Sequence, residues 1–435
     1  MRTYSETVNY IFSKLPMFTR IGPAAYKADL NNIKALSKAL GNPHKSFKTI
    51  HVAGTNGKGS TSHLLASTLQ EAGLQTGLFT SPHLLDFRER IRWNGNCIPE
   101  EKVIEFVHSI EPQIDELQPS FFEITVALAF WWFAQLPLDV AIIETGLGGR
   151  LDSTNIISPE LCVITNISWD HMNLLGNTLP LIAKEKAGII KSGIPVIVGQ
   201  TQPEVQSVFS ETAAEKRALL KFADAQFEAE LLHRNLFTAE YRIRKNKKIW
   251  QESVLVDLPG AYQKYNLCTA LGALDQLQRM GWEVETEHAL AGFQKVRKNT
   301  GLRGRWEVIH EKPLAIADVG HNEAGMLENK AVLEAESATW HYVIGVVNDK
   351  DLEKMVMQLP TNARFYASKP NIPRGLETEK LVYALRSAGK AVEAYQTVAE
   401  AYQAALVNAA NDQQPIFVGG STFVVAEALP QRPIF

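Results

Sequence analysis

The stretch Ile50-His-Val-Ala-Gly-Thr-Asn-Gly-Lys-Gly-Ser-Thr61 sets an apolar run, glycines, a lysine and hydroxyls in the order that phosphate chemistry requires. Glycines let backbone N–H groups close around phosphate oxygens, a following helix adds the positive end of its dipole, and a lysine supplies a point charge. The pattern predicts a buried strand, a phosphate-cradling turn and an amphipathic helix through Leu69. Thr55, Asn56, Gly57, Lys58, Gly59 and Ser60 are then nucleotide-binding, with Lys58 also a catalytic cation. An ordinary Walker loop would have a glycine five residues before Gly57 and a hydroxyl directly after the lysine, where this chain has Val52 and Gly59. A glycine-rich turn without a ligand is the plain alternative. A GTPase-type switch is another, but it needs Asn-Lys-x-Asp after a later strand, and Asn348-Asp-Lys-Asp351 has the wrong order.

The elements that must position this loop repeat along the chain. Short β-branched runs at residues 49–53, 75–79, 139–143, 161–165 and 195–198 alternate with stretches of helical period, which predicts stacked βαβ units and a largely parallel sheet. Glu144 stands at the carboxyl end of one such run, where ligand sites of parallel sheets form. A carboxylate directly after an apolar strand is costly unless paired, although a capping or loop role also remains. Residues 237–257 alternate around a basic turn, the pattern of an antiparallel hairpin on the sheet's flank. The polar segment Lys298-Asn-Thr-Gly-Leu-Arg-Gly-Arg305 reads as a linker. Beyond it, runs near 314–317, 341–346, 364–367 and 415–418 alternate with helical stretches at 376–388 and 398–409. At 435 residues the chain exceeds the roughly 250–300 that one core supports. The expected plan is α/β, with a mostly parallel P-loop ATPase domain bearing an antiparallel flank (residues 1–297), a linker (298–305) and a smaller Rossmann-like C-terminal α/β domain (306–435).

The nucleotide loop is the first of an ordered series: Thr80-Ser-Pro-His-Leu84, Arg88-Glu-Arg-Ile91, Phe121-Phe-Glu123, Glu144-Thr-Gly-Leu-Gly-Gly-Arg-Leu-Asp152, Asp170-His171, Glu185-Lys-Ala-Gly-Ile189, Gly260-Ala-Tyr-Gln263 with Asn266, Asp318-Val-Gly-His-Asn322 and Gly419-Gly-Ser421. Over nearly its whole length the chain thereby resembles the folylpolyglutamate synthase/dihydrofolate synthase family of Mur-ligase-like enzymes. The family often has proline before the Gly304-Arg305 pair, where this chain has Arg303. The resemblance implies an ATP-dependent ligase that activates a pteroate or folyl carboxylate as an acyl phosphate and joins it to the amine of L-glutamate. It further implies ATP as co-substrate, two Mg²⁺ ions and room for a monovalent cation.

By the same resemblance Ser81 and Glu144 are metal ligands and His171 serves a second magnesium. Lys186 is the site of a carbamylated, catalytic lysine. Asn266 falls on the base or ribose side of the nucleotide, Arg305 on the phosphates and Asp318 on the ribose or the domain junction. His321 is a catalytic candidate that meets the incoming glutamate, or else a loop histidine ordering the next helix. Pterin contacts fall on Ser120, Phe121, Phe122, Glu123, Leu151, Asp152 and Ser153, and approximately on the loop Thr19-Arg-Ile-Gly22. The residues alone leave plainer readings open: core packing for Phe121 and Phe122, a turn for Ser81, a solvated helix face for Lys184 and Lys186. By the resemblance, Glu123 and Asp152 match the family's dihydropteroate site, which implies a bifunctional enzyme that also accepts dihydropteroate.

Composition bounds the alternatives. A net charge of −3 with scattered lysines and arginines argues against a nucleic-acid partner. No apolar run reaches the ~20 residues of a membrane span, and residues 1–15 lack a signal-peptide plan. A cytoplasmic monomer acting on small molecules is expected. Cys97, Cys162 and Cys268 are odd in number and in no zinc or redox spacing. Two other functions compete: a Mur-type ligase on cell-wall precursors, which would carry a further domain before the loop where about 50 residues stand, and a non-catalytic nucleotide binder, which would lack the metal ligands.

Overall fold

The computed structural model describes residues 2–17, 22, 27, 29–348 and 352–431. Residues 19–21 of the Thr19–Gly22 loop, and three of the four residues from Asn348 to Asp351, lie outside that set. The chain forms two compact units, the first comprising Met1–His233, Ala239–Asp257 and Gln263–Leu302, the second Arg234–Thr238, Leu258–Tyr262 and Arg303–Phe435.

The first unit is built on strands β1 (Lys48–Ala53), β2 (Thr76–Phe79), β3 (Ile91–Trp93), β4 (Asn96–Cys97), β5 (Val140–Glu144), β6 (Leu161–Ile164), β7 (Val196–Val198) and β8 (Leu220–Phe222), in the order β4-β3-β2-β5-β1-β6-β7-β8. From β2 to β8 neighbouring strands are parallel, while β3 and β4 pair antiparallel at one edge. Every residue of β5 and β6 is buried, as expected of strands covered on both faces. The chain builds outward from β1 in both directions, with β5 on one side and β6 on the other. The loops after β1, β5 and β6 therefore converge on a topological switch point, where doubly wound sheets bind ligands.

The helix Lys58–Glu71 differs from the amphipathic expectation. Its residues from Ser60 to Leu69 are all buried. It packs on β2 and β5 and against the helices Gln263–Arg279 and Thr286–Phe293, so it has no solvent face. The helix Phe121–Phe133 is likewise buried almost all round and forms the heart of a core with Phe79, Ile91 and Ile143 from the sheet.

The expected antiparallel hairpin is present, but it carries a third strand and stands as a sheet of its own. Strands β9 (Phe227–Arg234), β10 (Ala239–Lys245) and β11 (Lys248–Val256) form a separate three-stranded sheet, with a two-residue turn at Asn246 and Lys247 in left-handed conformation. The sequence reading missed β9 because its apolar residues do not alternate; Leu231 and Leu232 are both exposed. Where a linker was expected from residue 298, Val296–Thr300 closes a short helix in the first unit, pinned by Thr300 Oγ1 to His63 Nδ1 at 2.7 Å.

The second unit has a six-stranded sheet in the order β12-β13-β17-β14-β15-β16, from β12 (Glu307–Glu311), β13 (Leu314–Ala317), β14 (Trp340–Ile344), β15 (Ala363–Ala367), β16 (Val392–Ala394) and β17 (Ile416–Gly419). Only β12 is antiparallel to its neighbour. Its core gathers Trp306, Tyr342, Phe365 and Phe417.

Candidate active site

The nucleotide loop follows β1 and is braced by the loop after β6. Thr55 N–H donates to Asn166 O (2.9 Å), Asn56 N–H to Asn166 Oδ1 (3.1 Å), Thr165 Oγ1 to Asn56 O (2.6 Å) and Ser168 N–H to the Thr55 hydroxyl (3.0 Å). These polar residues after β6 escaped the sequence reading, although Thr165-Asn-Ile-Ser168 after a buried strand carried the signal. Two glycines are fixed by close approach. A Cβ on Gly54 would lie 1.8 Å from Thr165 Oγ1, and one on Gly57, at φ +85°, would lie 2.1 Å from Asn266 Oδ1. Asn266 is buried against the loop and bonded to Gln263, whose amide reaches Ser60 Oγ at 3.2 Å. Residues 55–59 stay partly open.

Lys58 Nζ donates to the carbonyls of Gly54 (3.1 Å) and Thr55 (3.2 Å). Lys186, from the helix Leu179–Ala187, is 4% exposed and brings its Nζ to the same Gly54 carbonyl at 2.8 Å. Two lysine amino groups thus meet on one acceptor. Burial and then the Lys58 charge pull Lys186 down to about 7, against the opposing pull of Asp170 and Asp152.

The loop after β5 and the turn around Lys186 are stitched together. Arg150 N–H donates to Glu185 O (2.7 Å) and its guanidinium to Glu185 Oε1 (2.9 Å), while Asn155 Nδ2 bridges Arg150 O and Gly188 O. A Cβ on Gly188 would lie 2.3 Å from that of Arg150, and one on Gly149 would lie 2.8 Å from Glu185 O. Much of Glu144–Asp152 and Glu185–Gly188 therefore exists to let two backbones touch. Asp152 caps the turn Ser153–Ile156. Its carboxylate accepts from Leu147 N–H (2.8 Å) and from Thr154 N–H (3.0 Å) and hydroxyl (2.5 Å), and burial raises its pKa. Leu151 and Ser153 are half-buried on either side.

Glu144 ends β5, 3% exposed, and accepts the Ser81 N–H at 3.0 Å, so the structure brings these two predicted ligands together. His171 sits on the loop after β6 at φ +49°, its N–H held by Asp170 Oδ1 at 2.9 Å. Among the described residues no three His, Cys, Asp or Glu side chains form a ready-made metal cage. Ser120 and Glu123 form a reciprocal capping box on the helix Phe121–Phe133: Ser120 N–H and Oγ reach Glu123 Oε2 at 2.7 and 2.9 Å, and Glu123 N–H reaches Ser120 Oγ at 3.2 Å. Phe121 is buried among Phe12 and Phe87, whereas Phe122 is half-buried and lies over Gly146.

In the second unit Asp318, 2% exposed, follows β13. It accepts from Trp306 N–H (2.9 Å), Tyr262 OH (2.5 Å), Gly320 N–H (2.9 Å) and Asn329 Nδ2 (3.0 Å). Arg305 is half-buried with its Nη1 near Gly304 O at 3.3 Å. His321 Nδ1 lies 3.0 Å from Val319 O, and the cap of the helix Glu323–Ala335 is supplied by Asn322 instead.

Residues 52–274 match the Mur ligase middle domain and residues 304–422 the Mur ligase glutamate ligase domain. Loop, sheet and match together define a Mur-ligase-type, nucleotide-binding ATP-dependent ligase. The dihydrofolate synthase/folylpolyglutamate synthase of Bacillus subtilis is 37% identical over 349 residues, covering 78% of this chain and 80% of that protein. Folylpolyglutamate synthase of Lacticaseibacillus casei is 32% identical over 437 residues, 97% of each. The structure of E. coli FolC in complex with DHPP and ADP superposes with a TM-score of 0.83 at 30% identity, covering 98% of this chain and 96% of that one. The chain belongs to the dihydrofolate synthase/folylpolyglutamate synthase family. The relatives match the folate-directed reading rather than the cell-wall or non-catalytic alternatives. No described helix is long and apolar enough to cross a membrane.

Proposed function

We propose that this ligase is bifunctional, adding L-glutamate to dihydropteroate and extending reduced folates, as a cytoplasmic monomer that works on small molecules. The observation that carries the catalytic reading is the meeting of Lys58 and the buried Lys186 on the Gly54 carbonyl, at the switch point beside Glu144. The acceptor carboxylate takes the γ-phosphoryl group of ATP, with one P–O bond formed and the bond to ADP broken. The glutamate amine then attacks the acyl carbon, forming the amide and releasing phosphate. The loop's N–H groups and Lys58 hold the phosphates.

Mg²⁺ fits the donors at hand. A buried carboxylate (Glu144) with a neighbouring hydroxyl (Ser81) suits a hard cation that takes one or two protein oxygens and completes its shell with phosphates and water. His171 is our candidate for a second ion. When bound, magnesium neutralises charge developing on the transferred phosphoryl group. Lys186 suits carbamylation. Its neutral amine is populated near pH 7, attacks CO₂ with loss of a proton, and would place a carboxylate where two amino groups now crowd. Asn266, through its contact with Gly57, and Arg305 in the second unit are assigned to the nucleotide, Asp318 to holding the turn before β12 against β13, His321 to glutamate, and Phe122 with Leu151, Asp152 and Ser153 to the pterin side.

Purified protein with Mg-ATP and L-glutamate should release ADP with either dihydropteroate or tetrahydrofolate, each gaining one glutamate by mass spectrometry. Glutamate on only one acceptor would remove bifunctionality, and glutamate on neither would remove the folate reading.

A further inference from the structure

The motifs Ser81-Pro-His-Leu84 and Arg88-Glu-Arg-Ile91 contribute a pair that the scheme above leaves unused. Arg90 ends a 3₁₀ turn, Phe87–Arg90, and its carbonyl accepts the Thr80 N–H at 3.0 Å, so it lies beside Ser81 at the carboxyl edge of the sheet. The residue is 6% exposed. Its Nε donates to His83 Nδ1 at 2.7 Å, and its guanidinium stands over the Phe121 ring, 5.3 Å from the centroid. His83 accepts that bond through Nδ1, so its other ring nitrogen is the one left to carry a proton. His83 is in turn stacked on Phe12 with an interplanar angle of 4°.

The Nη edge of Arg90 makes no hydrogen bond to the described protein, yet it is not among the polar atoms sealed away from solvent without a partner. Burial opposes its charge, which Glu144 and Glu89 favour from nearby without a hydrogen bond to it. A buried arginine fork left open in this way selects a planar anion, because two parallel N–H groups match two carboxylate oxygens. The sheet decides which anion. Strand β3 is separated from β1 by β2 and β5, three spacings of about 4.8 Å, so Arg90 lies roughly 14 Å across the sheet from the strand that carries the nucleotide loop. Glu144 stands between them. Phe121, whose neighbour Phe122 faces Gly146, backs the guanidinium.

We infer that Arg90, oriented by His83, is the ligand of the acceptor's reacting carboxylate, binding it from the side opposite the nucleotide loop. The inference rests on the folate reading above and adds the group that holds the carboxylate for phosphoryl transfer.

The test compares binding of dihydropteroate and of its carboxamide counterpart to the full chain in the presence of ADP. Wild type should prefer the acid by roughly 10- to 100-fold, the range of a hydrogen-bonded charge pair. Arg90→Gln should abolish that preference, and Arg90→Lys, which keeps charge but not the fork, should retain only part of it. His83→Asn, which spares the arginine, should reduce it several-fold, with ADP affinity unchanged in all three. An intact acid preference in the Arg90 variants, or a loss confined to ADP, overturns the proposal and leaves the folate reading standing. Wild type that binds neither compound overturns both.

Discussion

The two units end parallel strands in glycine-bearing loops followed by helices, yet they use buried charge in opposite ways. In the second unit Asp318 is met by four donors, two backbone N–H groups, a tyrosine hydroxyl and a side-chain amide. That carboxylate ties β13 to the turn before β12 and to the helix Glu323–Ala335, and all its strong acceptor positions are used. In the first unit Lys186 and Lys58 crowd onto one carbonyl, an arrangement that stability alone would not select. Of these two buried charges, the satisfied one serves architecture and the conflicted one chemistry.

Substituting the conflicted lysine should break the enzyme while easing the fold. Lys186→Met should lower kcat by about 10²- to 10³-fold and raise the melting temperature. The pH dependence fixes the sign. With its folded-state pKa near 7 and its unfolded value near 10.5, Lys186 binds fewer protons in the folded state between those limits, so the wild type gains stability as pH rises through that window. The advantage of Lys186→Met should be full below pH 7 and fade toward pH 10.5. A variant less stable than wild type at pH 6 would show that the ammonium is better accommodated than its geometry indicates.

Asp318→Ala should do the reverse, costing about 2–4 kcal/mol in chemical denaturation, because four donors lose their acceptor in a buried place. If its stability loss is slight and its KM for ATP rises tenfold, Asp318 belongs with the nucleotide and the contrast between the units fails. Gly57→Ala sharpens the same contrast within the loop. Positive φ and the Asn266 side chain at 2.1 Å oppose the new methyl group, at a cost of about 1–3 kcal/mol. Pairing it with Asn266→Ala should recover part of the stability, since the clash is removed while the backbone strain persists.

The comparison also explains what the sequence disclosed. Strand positions and the loop Gly54–Ser60 were legible because period and residue type act locally. The neighbours that brace them were not: Thr165, Asn166 and Ser168 hold the loop from over a hundred residues away. Nothing in Glu185 announces that it pairs with Arg150, since that contact exists only once two glycines let the backbones close. The helix Lys58–Glu71 was misjudged because its serines and threonines look solvent-facing, and only the helices packed over it turn them inward. Glu123 shows the converse. A motif match suggested a ligand, while the spacing Ser120-x-x-Glu123 already spelled a capping box.

Glu123 is therefore where the smallest effect is most informative. Ser120→Ala removes the cap hydroxyl that Glu123 N–H and Oε2 both use, and loss of a cap costs about 1 kcal/mol. Glu123→Gln keeps the length and most of the cap geometry but removes the charge, so as a pure cap it should lose a few tenths of a kcal/mol and leave the acceptor's KM alone. If both variants shift stability by about these amounts with KM for dihydropteroate within twofold of wild type, the carboxylate serves the helix. It then reaches the site only by fixing where Phe121 and Phe122 begin. A fivefold or larger rise in that KM for Glu123→Gln, without a matching rise for Ser120→Ala, would mean that the charge also meets the acceptor, and that a satisfied carboxylate can still be a ligand.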